Sequence, residues 1–183
     1  MRVILDVVLN HAGDVFAYDL SDPDRYPPLD PNAPPGTVDP GAFSRLGRIA
    51  NFDYFPETTQ GDFFSLKDIH QGGGPTDEYV PSTALRAISR AYCWWLAFAD
   101  LDGFRIGTVK HMDPGATRFF TSVIHEFAQS IGKDRFMLVG EDTGSRADAI
   151  QRMELTGLDA ALGLADVQYQ IEQVAKGRSD PRN

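Results

Sequence analysis

Apolar and polar positions alternate along this chain in two different periods, and the order of those periods predicts the architecture. Residues 1–9 (MRVILDVVL) form a short β-branched run of the kind found in a parallel strand buried on both faces. From Pro81 to Ala99, Leu85, Ile88, Tyr92, Trp95 and Ala99 recur at three- and four-residue steps, which predicts a helix with Ser82 or Thr83 as its N-cap. Trp94 and Trp95 are expected on its buried face. Leu101 to Gly107 reads as a strand whose Asp102, Phe104 and Ile106 share one side and Gly103, Arg105 and Gly107 the other. Asp113-Pro-Gly opens a second helix with a stripe of Phe120, Val123, Ile124, Phe127 and Ile131 that ends at Gly132. Arg135 to Glu141 is a further strand, residues 142–155 a helix, Leu158 to Leu164 a strand and Asp166 to Ala175 a helix stopped by Gly177.

Between the first strand and the first helix, residues 13–74 keep neither period. Seven of the twelve prolines fall between Pro23 and Pro40, and Gly72-Gly-Gly74 closes the segment. An irregular excursion of this length inside a compact domain is usually functional. Strand, excursion, helix, strand, helix, strand, helix, strand, helix is an α/β order, which means a parallel sheet with right-handed crossovers. No Gly-x-Gly-x-x-Gly loop follows the first strand, so a dinucleotide-binding open sheet is not indicated.

Polar residues gather where the strands end, and a β/α barrel places its chemistry at that end. A charged arginine on a strand between two helices needs an anion or a cavity, since an unpaired buried charge is very costly. Arg105 therefore marks the lip of a site. Asp6-Val-Val-Leu-Asn10-His11 admits a plain reading as a strand end with a turn-forming Asn-His and a buried, hydrogen-bonded Asp6.

Three strings in order resemble motifs of the α-amylase family of glycoside hydrolases. Asp6 to His11 is similar to that family's third-strand motif, Asp102-Gly-Phe-Arg105 with Lys110-His111 to its fourth, and Val139-Gly-Glu141 to its fifth. Gly61-Asp-Phe-Phe-Ser-Leu-Lys-Asp-Ile69 looks like the end of the family's excursion after the third strand. The resemblance implies a partial (β/α)8 TIM barrel, about strands three to six, formed by residues 1–12 and 75–183. Residues 13–74 would then be the cleft-forming excursion.

By the same resemblance, Glu141 is the general acid/base, Arg105 supports the nucleophile, and Asp6, His11, Lys110 and His111 meet the sugar. The family's nucleophile is an aspartate two residues after the arginine. Here that position is Gly107, and a glycine cannot attack carbon. The family's third carboxylate, after its seventh strand, has no counterpart. The chain is therefore expected to be a catalytically impaired part of a retaining α-glucan or α-glucoside hydrolase or transglycosylase. The alternative is a non-catalytic carbohydrate-binding or partner-binding relic. No cofactor is required, and the resemblance leaves calcium open, with Asn10 as its ligand.

Composition narrows the partners. The 183 residues are 42% apolar and 23% charged with a formal net charge of -9, which disfavours nucleic acid and anionic membranes and suits a neutral α-linked glucan. No apolar run is long enough to cross a bilayer, and the first residues do not read as a signal peptide. This leaves a soluble chain of unassigned compartment. The single Cys93 lies in a helical run and reads as a buried, inert thiol. Four strands leave two sheet edges open, so a missing barrel half or a partner chain is expected to be needed for stability.

Overall fold

The computed structural model describes residues 1–16, 40–162, 165–180 and 182. The proline-rich part of the excursion from 17 to 39, and the predicted strand end at Gly163 and Leu164, lie outside the described residues. In chain order the elements are β1 (Ile4–Val8), α1 (Glu57–Gln60), β2 (Gly72–Gly73), β3 (Val80–Pro81), α2 (Thr83–Phe98), β4 (Gly103–Gly107), α3 (Pro114–Ser130), β5 (Met137–Glu141), α4 (Arg146–Thr156), β6 (Ala160–Leu162) and α5 (Ala165–Ala175). The main sheet runs β1-β4-β5-β6, and every neighbouring pair in it is parallel. The fold is α/β with a parallel sheet, as the order of periods predicted.

The helices begin where capping chemistry allows. Ser82 accepts from the Leu85 N–H ahead of α2, and Asp113 accepts from the Gly115 N–H ahead of α3 with Pro114 in the first turn. Ser145 and Asp148 form a reciprocal capping box on α4, which ends at Gly157 in the left-handed region. The core lies between one face of the sheet and helices α2 and α3. Val7, Leu9, Leu96, Leu101, Phe104, Ile106, Phe120, Ile124 and Leu138 fill it. Each such side chain contributes about 1.5–3 kcal/mol of transfer free energy. Phe104 and Ile106 point into this core as the strand period required, and Arg105 points away from it.

Three expectations about burial are corrected. β1 was read as buried on both faces, yet Val7 is its only buried residue. The sheet closes over one face alone, so Ile4, Asp6 and Val8 look into an open lumen. Trp94 and Trp95 were expected on the buried face of α2. They are 55% and 45% exposed, because Leu85, Ser89 and Leu96 take the buried positions. The helix carries two apolar faces, and periodicity does not say which one the sheet receives. Ile131 also falls outside the stripe: α3 stops at Ser130, and Ile131 is exposed.

The described end of the excursion folds back onto the strand ends. His11 bridges Asp68, Phe43 bridges Ile69, and the Ile69 N–H donates to the Asn10 carbonyl at 2.9 Å. Among the described residues no helix is long and apolar enough to cross a membrane.

Candidate active site

Strand register assembles the site. Asp6 lies level with Arg105, and Val8 with Gly107. Arg105 lies level with Val139 and Ile106 with Gly140, so one step on Gly107 and Glu141 share a rung. Adjacent strands are about 4.8 Å apart, and alternate residues share a face. Asp6, Arg105, Gly107 and Glu141 thus meet at the carboxyl end of the sheet on the lumen side.

Arg105 stands between two carboxylates. Its Nη1 donates to both oxygens of Asp6, at 2.9 and 3.0 Å, and its Nη2 forms an ion pair with Glu141 Oε1. The other Glu141 oxygen accepts from the Thr108 N–H at 3.2 Å. Thr108 adopts the left-handed conformation at φ 60°, an uncommon state for a non-glycine residue, and this turn aims its N–H across to β5. Asp6 is exposed, which corrects the plain reading of it as a buried strand-end carboxylate; its partner is Arg105.

Nothing in the backbone demands glycine at position 107. A Cβ there would lie 3.3 Å from Arg105 Nη1, 3.4 Å from Val8 Cγ2 and 3.6 Å from the Val7 carbonyl, so a small adjustment of the arginine admits a side chain. Gly103 differs sharply, since its Cβ would fall 2.5 Å from the Met137 carbonyl oxygen.

The two histidines form one wall with the aromatics of the excursion. The His11 ring stacks on Phe63 at 5.7 Å, and Phe63 and Phe52 meet His111 edge-on at 5.2 and 5.6 Å. His111 Nδ1 lies 3.0 Å from the Thr58 carbonyl. Burial lowers the affinity of both rings for a proton, and His111 adds to the effect at His11. Neutral imidazoles that donate and accept hydrogen bonds are the result. Lys110 reaches Asp53 at 2.7 Å and holds that carboxyl below the usual range. Asp142 and Arg152 pair at 2.7 Å, and Arg152 also donates to the Val109 carbonyl, which ties α4 to the turn carrying Lys110 and His111.

The sequence pattern brought Asp6, His11, Arg105, Lys110, His111 and Glu141 into view, and all stand at these strand ends or in the turns directly after them. It missed Asp53, Thr58, Thr108 and Arg152. Three of these act through backbone groups or from the irregular excursion, where no period marks them. Among the aromatics of the excursion, Tyr54, Phe55 and Phe64 are exposed, and Phe52 and Phe63 pack on His111.

Asn10 is buried, with its amide nitrogen 3.4 Å from His11 Nδ1, and its Oδ1 has no hydrogen-bond partner. Asp68 Oδ1 is likewise buried without a partner, and burial together with Asp62 raises its pKa well above the ordinary value. Two orphaned oxygens on bridged segments are the donor type a hard cation takes. The residues therefore fit calcium in kind, although no cluster of three or more His, Cys, Asp or Glu suited to a metal occurs among the described residues.

No family model matches the chain. A cyclomaltodextrin glucanotransferase from Klebsiella oxytoca is 26% identical to it over 145 residues, 76% of this chain and 21% of the relative. An Anoxybacillus α-amylase superposes with a TM-score of 0.63 at 24% identity, over 88% of this chain and 30% of that one. The α-amylase of Geobacillus thermoleovorans, solved in complex with acarbose, gives 0.62 at 22% identity over 89% and 30%. The chain resembles part of an α-amylase-family catalytic domain. Its parallel sheet corresponds to part of that family's TIM barrel. It spans about a fifth of the glucanotransferase and under a third of the two amylases.

Proposed function

We propose that this chain carries the acid/base half of a retaining α-glucan or α-glucoside active site and lacks the nucleophile. The observation that carries the reading is the shared rung of Gly107 and Glu141, flanked by Arg105. Retaining glycoside hydrolysis uses two carboxyl groups about 5 Å apart, which is the spacing of neighbouring strands. A carboxylate on position 107 would sit beside both Arg105 and Glu141.

In the complete reaction a carboxylate attacks the anomeric carbon as the glycosidic C–O bond breaks. The acid hands its proton to the leaving oxygen, and water then displaces the carboxylate with the same residue acting as base. Glu141 is the group for the proton transfers. Arg105 would hold the attacking carboxylate ionised and aligned; with glycine at 107 it pairs with Asp6 and Glu141 instead. On this reading the impairment has one cause, the absence of an attacking group beside Arg105 and Glu141.

His11, His111 and Lys110 would bind the sugar, with Phe63 setting the plane of His11. Residues 13–74 would wall the cleft. Calcium would be held by Asn10 Oδ1 and Asp68 Oδ1, where a hard cation would fasten the excursion to the end of β1. The substrate class rests on the homologous glucanotransferase and amylases, and on neutral donors and stacked rings in an acidic chain.

A second reading, a carbohydrate-binding relic without catalysis, is favoured by the intact His11–Phe63–His111 wall beside the empty nucleophile position. Titration of the chain with a maltooligosaccharide by heteronuclear NMR tests both. Shifts centred on His11, Lys110 and His111 that disappear in His11→Ala place sugar at this site. Shifts absent throughout would remove the sugar-binding element from both readings.

A further inference from the structure

The short helix α1 has two sides. On one, Thr58 meets His111, with its hydroxyl 3.2 Å and its carbonyl 3.0 Å from the ring nitrogen. On the other, Thr59 and Gln60 line a half-enclosed cavity of about 250 Å3. The segment from Ile69 to Gly72, Tyr79 and Asp113 at the start of α3 form most of the remaining wall. None of these residues belongs to the strand-end site, and all lie well inside the chain.

Polar groups converge on this cavity with bonding capacity left over. Asp113 caps α3 by accepting from the Gly115 N–H with Oδ1 at 2.7 Å, which leaves Oδ2. Gln71 is only 7% exposed, and its Nε2 donates to the Leu9 carbonyl at 3.4 Å, which leaves Oε1. The Tyr79 hydroxyl is closed off from solvent with no hydrogen-bond partner among the described residues, a costly state for a buried donor. Burial, with Asp113 and Asp68 nearby, pushes the pKa of this phenol up and keeps the donor in place. Leu46 and Ile69 add an apolar strip.

The lining selects one kind of ligand. Asp113 is its one carboxylate, and no lysine or arginine is among the described residues that line it, so an anion meets only like charge. A lone carboxylate among amides, hydroxyls and an imidazole is a weak trap for a cation. Such groups donate and accept together, and their natural complement is a hydroxyl, which does both. The volume is below the roughly 300–1,000 Å3 of sites for drug-sized ligands, which suits one ring. We propose that this cavity is a second binding site, for a single neutral polyhydroxylated ring such as a monosaccharide. Asp113 Oδ2 and Gln71 Oε1 accept from ring hydroxyls, Gln60 and His70 bond at the mouth, and the C–H face of the ring lies on Leu46 and Ile69. The Tyr79 hydroxyl gains its acceptor from the ligand, directly or through one water. This inference uses no residue of the strand-end site and does not depend on what Gly107 does.

Heteronuclear NMR titration of the chain with methyl α-glucoside tests it, with ethylammonium chloride as a cationic probe of similar reach. The expected result is a saturable shift of the Thr59, Gln60, Gln71 and Asp113 amides with the glucoside and none with ethylammonium. Gln60→Ala with His70→Ala removes two exposed side chains, and the affinity should fall at least about ten-fold. Asp113→Asn keeps a good helix cap and should weaken binding by a similar factor, since it removes the charged acceptor. His11→Ala should leave these shifts unaltered, which separates the cavity from sugar held at the strand ends. Spectral dispersion elsewhere in each variant reports that it is folded. The absence of a saturable shift, a response to ethylammonium instead of the glucoside, variants that bind as tightly as the parent, or shifts that vanish in His11→Ala would each overturn the proposal.

Discussion

Gly107 and Glu141 face each other on one rung of adjacent parallel strands, with the Arg105 guanidinium beside both. The position level with the only carboxylate of β5 has space for a side chain and none in it. Arg105 directs its two amino groups to Asp6 and Glu141. Removing it leaves Asp6 and Glu141 as neighbouring like charges. Arg105→Met should therefore destabilise the chain, by about 1–2 kcal/mol given that all three side chains keep solvent contact. Urea denaturation reads this out, and an unchanged midpoint would mean that the ion pairs are energetically idle.

The two glycines of β4 make opposite predictions. Gly107→Ala should change stability by less than about 1 kcal/mol, since only a small shift of Arg105 is needed. Gly103→Ala should cost more than about 2 kcal/mol, because its methyl collides with the main chain of β5 at Met137. Thermal denaturation of both variants checks the contrast. Equal losses would show that position 107 is as crowded as position 103.

The histidine wall sets a pH dependence. Burial lowers the folded-state pKa of His11 and His111 from 6.5, so in the window below that value the unfolded chain binds more protons than the folded one. Stability then falls as pH drops from 6.5 toward the folded-state values. Denaturation midpoints measured across this window should show a slope that becomes shallower in the His11→Gln, His111→Gln double variant. An identical slope would assign the dependence to other groups. Asp68 acts in the other direction at lower pH, since its raised pKa makes stability fall as pH rises from 3.8 toward the folded value.

The orphaned oxygens of Asn10 and Asp68 make a calcium prediction. Calcium at a hundred times its dissociation constant should add about 2.7 kcal/mol to stability, and Asp68→Asn should abolish most of that gain. Differential scanning calorimetry with calcium and with a chelator decides it. A melting temperature indifferent to calcium would leave the two oxygens without a cation.

The sequence was informative where one periodicity serves one surface. Phe104 and Ile106 against Arg105 and Gly107 showed the two faces of β4 directly, and Glu141 at the end of β5 followed from the same alternation. Asp113 and Ser145 announced their helices by side-chain chemistry alone. α2 was harder, because Trp94, Trp95 and Phe98 make an apolar stripe as regular as Leu85, Ser89 and Leu96, and only tertiary packing chooses between them. β1 read as doubly buried because its residues suit a closed barrel, while half a sheet covers one side only. Asp53, Thr58 and Phe63 reach the site from an excursion with no period, and Thr108 contributes a backbone N–H that no side chain reveals.

Chemical rescue at position 107 tests the account most directly. Residues 1–183 would replace the matching part of a homologous amylase barrel, and the hybrid would be assayed on an aryl α-glucoside as the Gly107 form and as Gly107→Asp. Gly107→Asp should hydrolyse the substrate, the glycine form should be inert alone, and added azide should give it turnover with β-glucosyl azide as product. A folded Gly107→Asp hybrid that stays inert, or a glycine form that hydrolyses unaided, would contradict the assignment of position 107 as the vacant nucleophile.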